Sequence, residues 1–424
     1  MIGAPLWRLL YEVMCAAVPN ISRGALHFLL QKYVAVQYGP SGLLMFGALS
    51  NLVSVTNSLA LGGTQNAIVL KVKKNAKPLN RAELQAIVGL TTIAGIAVCV
   101  SCLLTTSILF AAAPSTWNEF AAWQVLSLAV ICFCGYSIGS FVNAHFIGFD
   151  RLASLAANGI ASVAIAGIVF AVAFFFASPK AILFVAPMVY AVGVGLASLP
   201  TAWRFLKQRS TNCRNSAVFE FTHMVPFAAM AAVSATLNPI SANFILGLFS
   251  RFHGAEVAGN FQALSRLSDL VNIVAGPIIS AYIFPRLIGA LDSKSQLRRA
   301  LARASGLTIV VALALFVIAS YPEPFVRLLY SEEFAIAPAA LVWYLGGEAA
   351  RTMLTCLGYL TVVAGSFKAY CLFALLYNGL LCFAASLTVP NGNEVLYSIA
   401  YAVVNVCICC LLFLWGSERV MQKK

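Results

Sequence analysis

Three arginines stand where arginine is costly. Arg23, Arg266 and Arg351 each lie inside a mostly apolar stretch of about 20 residues, the length that crosses the hydrocarbon of a bilayer. An arginine at that depth costs about 2.5–3.5 kcal/mol on the lenient insertion scale, so a wet cavity, a carboxylate or a bound anion has to offset it. The neighbours are polar at helical spacing. Asn20, Arg23, His27 and Gln31 follow steps of three and four residues. They fall within about 80° of arc, one polar stripe. Asn51, Ser54, Ser58, Gly62 and Gln65 repeat the pattern in the next apolar run, and His223, Pro226, Met230, Ser234 and Ser241 repeat it in a later one. Gln262, Ser265, Asp269, Asn272, Gly276 and Ser280 form a fourth stripe with Arg266 at its edge; Tyr344, Gly347, Glu348, Arg351 and Thr355 form a fifth.

Guanidinium groups carry forked N–H pairs that match the oxygens of a phosphate, while amides and hydroxyls suit sugar hydroxyls. Recognition is the chemistry on offer, since no nucleophile and base stand together as an enzyme would need. Serine, threonine and asparagine also join membrane helices to one another, which accounts for single polar residues. That account fails for the arginines. Arg266 has Asp269 one turn away and Arg351 has Glu348 one turn away, spacings that permit local ion pairs. The nearest acidic residue on a face like that of Arg23 is Glu12, three turns distant. The expected cavity set is therefore Arg23, His27, Asn51, Arg266, Asp269, Glu348 and Arg351.

The elements that hold these residues are membrane spans. Hydrophobic residues make up 61% of the 424-residue chain and charged residues 10%, against roughly 25% charged in a soluble domain. Twelve candidate spans centre near residues 8–36, 43–68, 84–112, 120–148, 154–177, 181–203, 219–249, 258–288, 304–320, 336–363, 368–389 and 395–415. The first apolar run continues through Asn20, Arg23 and Lys32 with no small-residue cleavage site, so it is expected to remain as a span rather than act as a signal peptide. With the N-terminus inside, twenty of the 27 basic residues fall in inner connections and three in outer ones. That asymmetry predicts cytoplasmic termini. The net charge of +13 is then topology signal and attraction to anionic lipid heads, and nucleic acid is not an expected partner. The twelve cysteines lie mostly within spans, and the four histidines lack metal-ligand spacing.

The chain also repeats itself. Sliding "YGPSGLLMFGALSNL" at Tyr38 onto "HGAEVAGNFQALSRL" at His253 matches Gly39 to Gly254, Phe46 to Phe261, Ala48 to Ala263, Leu49 to Leu264, Ser50 to Ser265 and Leu52 to Leu267. Asn51 falls opposite Arg266. Six spans separate the copies, an even number, so both copies cross in the same direction. The expected fold is all-α and polytopic: twelve transmembrane helices in two parallel-repeat six-helix lobes, residues 1–208 and 209–424. Pro19 and Pro239 fall inside the first helix of each lobe and are expected to bend it.

"LLQKYVAVQYGPSGLLMFGALSNLVSVTNSLALGGTQNAIVLKVKKN" resembles the first two helices of Wzx-type lipid-linked oligosaccharide flippases, in the multidrug/oligosaccharidyl-lipid/polysaccharide (MOP) exporter superfamily that also holds the MATE exporters. The shared pattern is an apolar helix ending in aromatic-Gly-Pro-x-Gly, a Ser/Thr/Asn-rich helix with a glycine pair, then a basic inner loop. "LSRLSDLVNIV", "SAYIFPRL" and "PFVRLLYSEEF" resemble the corresponding later segments, nearest the enterobacterial common antigen lipid III and O-antigen flippase group. The resemblance implies a non-enzymatic flippase in the bacterial inner membrane, working by alternating access. Its cargo would be undecaprenyl diphosphate bearing a short oligosaccharide, moved from the cytoplasmic to the periplasmic leaflet, with the diphosphate in a cationic cavity. It implies membrane lipids as surroundings, a glycan polymerase and a chain-length regulator as partners, and no cofactor. Two negative charges moving outward gain about 4.6 kcal/mol per 100 mV of inside-negative potential. Coupling to a proton or sodium gradient stays open, with Asp269 and Glu348 as candidates. The rival reading is a MATE-like multidrug or other small-molecule exporter. A major-facilitator permease fits less well, because "KVKKNAKPLNR" lacks that group's Asp-Arg-Gly signature between spans two and three.

Overall fold

The computed structural model describes residues 3–65, 67–69, 72, 79, 81–112, 122–149, 151–176, 179–207, 217–279, 287, 294–330, 334, 336–363, 366–392 and 394–422, and nearly all of them are helical. Helix α1 runs Gly3–Ser58 and is followed by a short 3-10 turn, Ala60–Gly63. Then come α2 (Arg81–Ala112), α3 (Ala122–Gly148), α4 (Leu152–Phe176), α5 (Pro179–Val185) and α6 (Val189–Lys207). The second half contains α7 (Ala217–Ile278), α8 (Lys294–Ser320), α9 (Pro322–Leu329), α10 (Pro338–Val363), α11 (Phe367–Thr388) and α12 (Glu394–Gln422).

At 56 and 62 residues, α1 and α7 are each too long for one crossing. Each is broken at a glycine. Gly39 has φ 62° and ψ −163°, and Gly254 has φ 88° and ψ 168°. These are the matched glycines of the repeat, 215 residues apart. Positive φ with extended ψ is a region that a side chain bars, so glycine is required there. Divided at these turns, α1 and α7 give four rods, and the eight other long helices bring the described residues to twelve. The repeat encodes burial as well as the turn. Phe46 and Phe261, Ala48 and Ala263, and Leu49 and Leu264 are all buried. At Pro19 and Pro239 the helix continues unbroken, so any bend there lies within a continuous helix.

Among the described residues, eight segments are long and apolar enough to cross a membrane by length and composition. Their outward faces carry bare aromatic and aliphatic side chains, including Phe176 at 87% exposed, Phe316 at 70% and Ile168 at 65%. Contiguous faces of that kind belong in lipid. The chain is a multi-pass membrane protein.

The helices group into two compact units, one of Met1–His27 with Met45–Asn243 and one of Phe28–Leu44 with Phe244–Lys424. In the first unit α3, α4 and α6 pack backbone to backbone. A Cβ added at Gly135 would strike the carbonyl of Ala191, one at Gly139 would strike Val194, and one at Gly193 would strike the Ser162 carbonyl. Gly135 and Gly139 form a small-xxx-small pair, the spacing that lets membrane helices approach where no hydrophobic drive exists. Next to them, Leu61, Gly62 and Gly63 have φ of 53°, 62° and 70°. The break they make is answered within the protein: the Leu61 N–H donates to Ser137 Oγ at 3.3 Å, and Thr64 Oγ1 donates to the Leu61 carbonyl at 2.6 Å. Irregular backbone at membrane depth needs such partners. In the second unit Gly259 of α7 meets the Pro40 carbonyl, and Gly347 of α10 lies under Tyr401 and Ala402 of α12.

Gly254→Ala meets no atom within 4 Å, so any loss reports the backbone conformation alone, expected at about 1–3 kcal/mol. Thermal unfolding of the purified protein in detergent checks this, and an unshifted midpoint would refute it. Gly135→Val is expected to cost about 1–3 kcal/mol through overpacking. Gly167→Ala, with open space around its Cβ, should be neutral in the same assay.

Candidate functional site

The expected site residues fall into separate neighbourhoods, taken here one at a time. Arg23 is half-buried on α1. Its guanidinium carbon sits 5.2 Å from the ring centroid of Tyr190 on α6 and 5.6 Å from that of Tyr136 on α3. The two rings are themselves 6.3 Å apart. A cation over ring faces is stabilised by the ring quadrupole, by about 2 kcal/mol or more when desolvated. Two such faces offset much of the insertion cost that made this arginine conspicuous. Local structure delivers it there: Pro19, one turn before Arg23, packs against Gly159 of α4, where no side chain intervenes. His27 lies one turn on, its ring 5.5 Å from that of Phe46.

The same unit holds a polar cluster that the stripe analysis missed. Asn158 of α4 donates through Nδ2 to Asn143 Oδ1 at 3.2 Å and to Ser198 Oγ at 3.0 Å. Tyr136 and Asn143 lie two turns apart on one face of α3. The sequence signal was faint because each helix contributes a single polar residue, and only packing brings the three together. Asn51, an expected site residue, donates to Asn243 Oδ1 at 2.7 Å. Asn243 is fully buried.

The second unit contains the one expected ion pair whose geometry the described residues show. Glu348 and Arg351, three residues apart on α10, meet with Nη1 3.2 Å from Oε1. Glu348 is 1% exposed, while 34% of the Arg351 side chain is exposed. Tyr401 of α12 donates its hydroxyl to the same Glu348 oxygen, and its ring stacks on Tyr344 at 4.4 Å and 9°. Asn405 donates to the Tyr401 carbonyl at 2.9 Å and accepts from the Tyr377 hydroxyl at 3.3 Å. The carboxylate is thus held from two sides in a tyrosine-lined pocket of helix contacts. Periodicity along α10 showed Tyr344, Glu348 and Arg351; Tyr377, Tyr401 and Asn405 come from neighbouring helices and carried no such mark.

Arg266 lies beside Gln262, one turn before it on α7. With the Gln262 amide turned so that its oxygen faces Arg266, Nε and Nη2 donate to that oxygen at 2.6 and 3.0 Å. The side chain of Asp269 lies outside the described residues. Gln31, the last member of the first stripe, is fully buried with neither end of its amide hydrogen-bonded.

No protein-family model matches the chain. Two curated relatives do, the proteins named Lipid III flippase of Escherichia coli (strain K12) and of Shigella flexneri. Each is 23% identical over 409 residues, covering 92% of this chain and 94% of the relative. Solved structures with the same fold include a MATE transporter in complex with MaL6, at TM-score 0.69 and 15% identity over 97% of this chain and 96% of that one. Another is a MOP superfamily transporter from Pyrococcus furiosus, described as having a binding pocket of reverse polarity, at TM-score 0.68 and 14% identity over 97% and 96%. A third is a MATE family multidrug transporter in an inward-facing conformation, at TM-score 0.67 and 14% identity over 96% and 98%. The chain therefore has the fold of the MATE and MOP-superfamily transporters, and along nearly its whole length its sequence is similar to lipid III flippases.

Proposed function

We propose that this protein is a flippase for a lipid-linked oligosaccharide. It carries an undecaprenyl-diphosphate-linked repeat unit, of the O-antigen or enterobacterial common antigen kind, from the cytoplasmic to the periplasmic leaflet of a bacterial inner membrane. The observation that carries this reading is the similarity to lipid III flippases over 94% of their length. The transporter fold supports the coarser part of it, a translocator and not an enzyme. On this reading the six-helix lobes, residues 1–208 and 209–424, are the bodies that alternate access. Both termini face the cytoplasm.

In this proposal the diphosphate is the handle. Arg23, Arg266 and Arg351 provide charge-assisted donors to its oxygens, with His27 and Asn51 as further hydrogen-bonding partners and Asp269 and Glu348 as the acidic members of the set. The sugars engage amide and hydroxyl groups, and the prenyl chain stays in lipid. The three arginines are not equivalent. Arg351 shares its guanidinium with a buried carboxylate, whereas Arg23 is held by ring faces. Membrane potential favours outward movement of the two charges, by about 4.6 kcal/mol per 100 mV. A MATE-like exporter of small molecules is the alternative. Proteoliposomes that flip the lipid-linked glycan but leave cationic drugs untouched exclude it.

Arg23→Ala and Arg266→Ala should abolish the surface glycan while the protein level in the membrane holds; full complementation by both would sink the cationic-site reading. Mass analysis of a deletion strain should reveal the accumulated lipid-linked oligosaccharide, and accumulation of none argues against the function outright. Arg351→Ala strands the buried Glu348 carboxylate, with an expected loss of about 3–5 kcal/mol. Adding Glu348→Gln should restore most of that stability in a thermal unfolding assay without restoring transport. For the orientation, a thiol reagent confined to the periplasm should label a cysteine placed at Ser41 or Asn391 and spare one at Lys74; labelling at Lys74 would invert the topology.

A further inference from the structure

Glu348 enters the transport reading only as an acidic neighbour of Arg351. We infer that it is an internal competitor for the cargo: its carboxylate takes the Arg351 guanidinium back from the diphosphate, so that the cargo is held briefly and then released. The inference rests on the flippase reading and assigns a task to one residue of its site.

The two members of the pair are seated differently. Glu348 is 1% exposed, whereas 34% of the Arg351 side chain is open. Packing fixes the acid. Gly347, its neighbour on α10, lets α12 come close, since a Cβ there would stand 2.7 Å from the Tyr401 ring and 3.1 Å from Ala402 Cα. Tyr401 thereby brings its hydroxyl to Glu348 Oε1, and its ring lies flat on Tyr344. Arg351 reaches the same oxygen through Nη1 alone, at 3.2 Å. One N–H on an oxygen that a second donor already occupies is a weaker hold than the two-bond fork an arginine makes on a phosphate. The anion is the fixed partner and the cation the movable one. Tyr344, Tyr377 and Tyr401 stand around the guanidinium. Among the described residues, Glu348 is the carboxylate paired with it.

A carrier has to let go as well as bind, and a site that passes its cargo on must hold it weakly enough to leave. Arginine on a diphosphate in a low-dielectric site is a strong hold. A carboxylate three residues away on the same helix is an anion tethered beside that arginine, so it competes at a high effective concentration. Its charge also opposes a second anion next to it. Both effects lower the affinity for the diphosphate. Tyr401 tempers the competitor, because its hydroxyl occupies part of the oxygen that Arg351 would use.

Titration calorimetry of the full-length protein in detergent with farnesyl diphosphate reads the affinity. Proteoliposomes loaded with undecaprenyl diphosphate bearing one fluorescently labelled sugar read transport by dithionite quenching. Glu348→Gln keeps the shape and an acceptor for Tyr401 but removes the charge. It should bind the probe about tenfold more tightly, with kcat and apparent KM both lowered because release is slowed. Tyr401→Phe keeps the ring on Tyr344 and leaves the oxygen to Arg351, so it should bind about threefold more weakly. Opposite signs from two substitutions at one carboxylate are not what a loss of structure produces. In the Arg351→Ala, Glu348→Gln double variant the gain in affinity should vanish. Unchanged binding by Glu348→Gln, weaker binding by both single variants, or tighter binding with undiminished kcat overturns the competitor and leaves the flippase reading standing. A wild-type protein that neither binds nor flips the diphosphate probes overturns both.

Discussion

Hydrocarbon does not solvate a charge or an open backbone group, and everything distinctive in this molecule is an answer to that constraint. Each arginine within a span is met by protein, and each time by a different chemistry: ring faces at Arg23, a buried carboxylate at Arg351, a neighbouring amide at Arg266. The same constraint governs the backbone. Where three successive residues leave the right-handed region after α1, a serine on α3 and a threonine within the turn take up the freed groups.

Close packing makes those answers hold. Glycine at 135, 139, 193 and 195 removes side chains from the seams between α3, α4 and α6, so that dispersion contacts between backbones replace the missing hydrophobic drive. A seam of that kind fixes the rotation of each helix about its axis. Rotation in turn decides whether Tyr136 and Tyr190 meet Arg23 or face lipid. The tyrosines and the glycines are consecutive or nearly so in sequence, with Tyr136 next to Gly135 and Tyr190 next to Ala191. Packing and site are thus specified by adjacent residues.

The Glu348 neighbourhood shows how a membrane protein keeps a carboxylate buried. One arginine and one tyrosine hydroxyl converge on the same oxygen, and the tyrosine ring is held by stacking on Tyr344. Removing a single member leaves the rest uncompensated, which is why such groups carry large penalties when broken and modest net gains when whole. The proposed transport cycle would make use of that imbalance, because a diphosphate competing for Arg351 changes what the carboxylate must bond to.

The sequence by itself determined the membrane setting, the span count, the polar stripes and the repeat, because hydropathy and helical period are local properties of a chain. The matched glycines are the sharpest case. A match at an offset of 215 residues became two positive-φ turns, since only glycine adopts that backbone without strain. Spacing also marked the Glu348–Arg351 pair, because residues three apart on a helix are neighbours wherever the helix goes. The same rule offered Asp269 to Arg266; the Asp269 side chain lies outside the described residues, and Gln262 lies beside Arg266 one turn the other way. What only the tertiary structure decided is which groups meet across helices. Tyr136, Tyr190, Tyr401, Asn143 and Asn158 lie on other helices than the arginine, carboxylate or amide they touch, and no period along the chain relates them. Their meeting depends on helix rotation and depth, which are set by contacts between residues far apart in sequence.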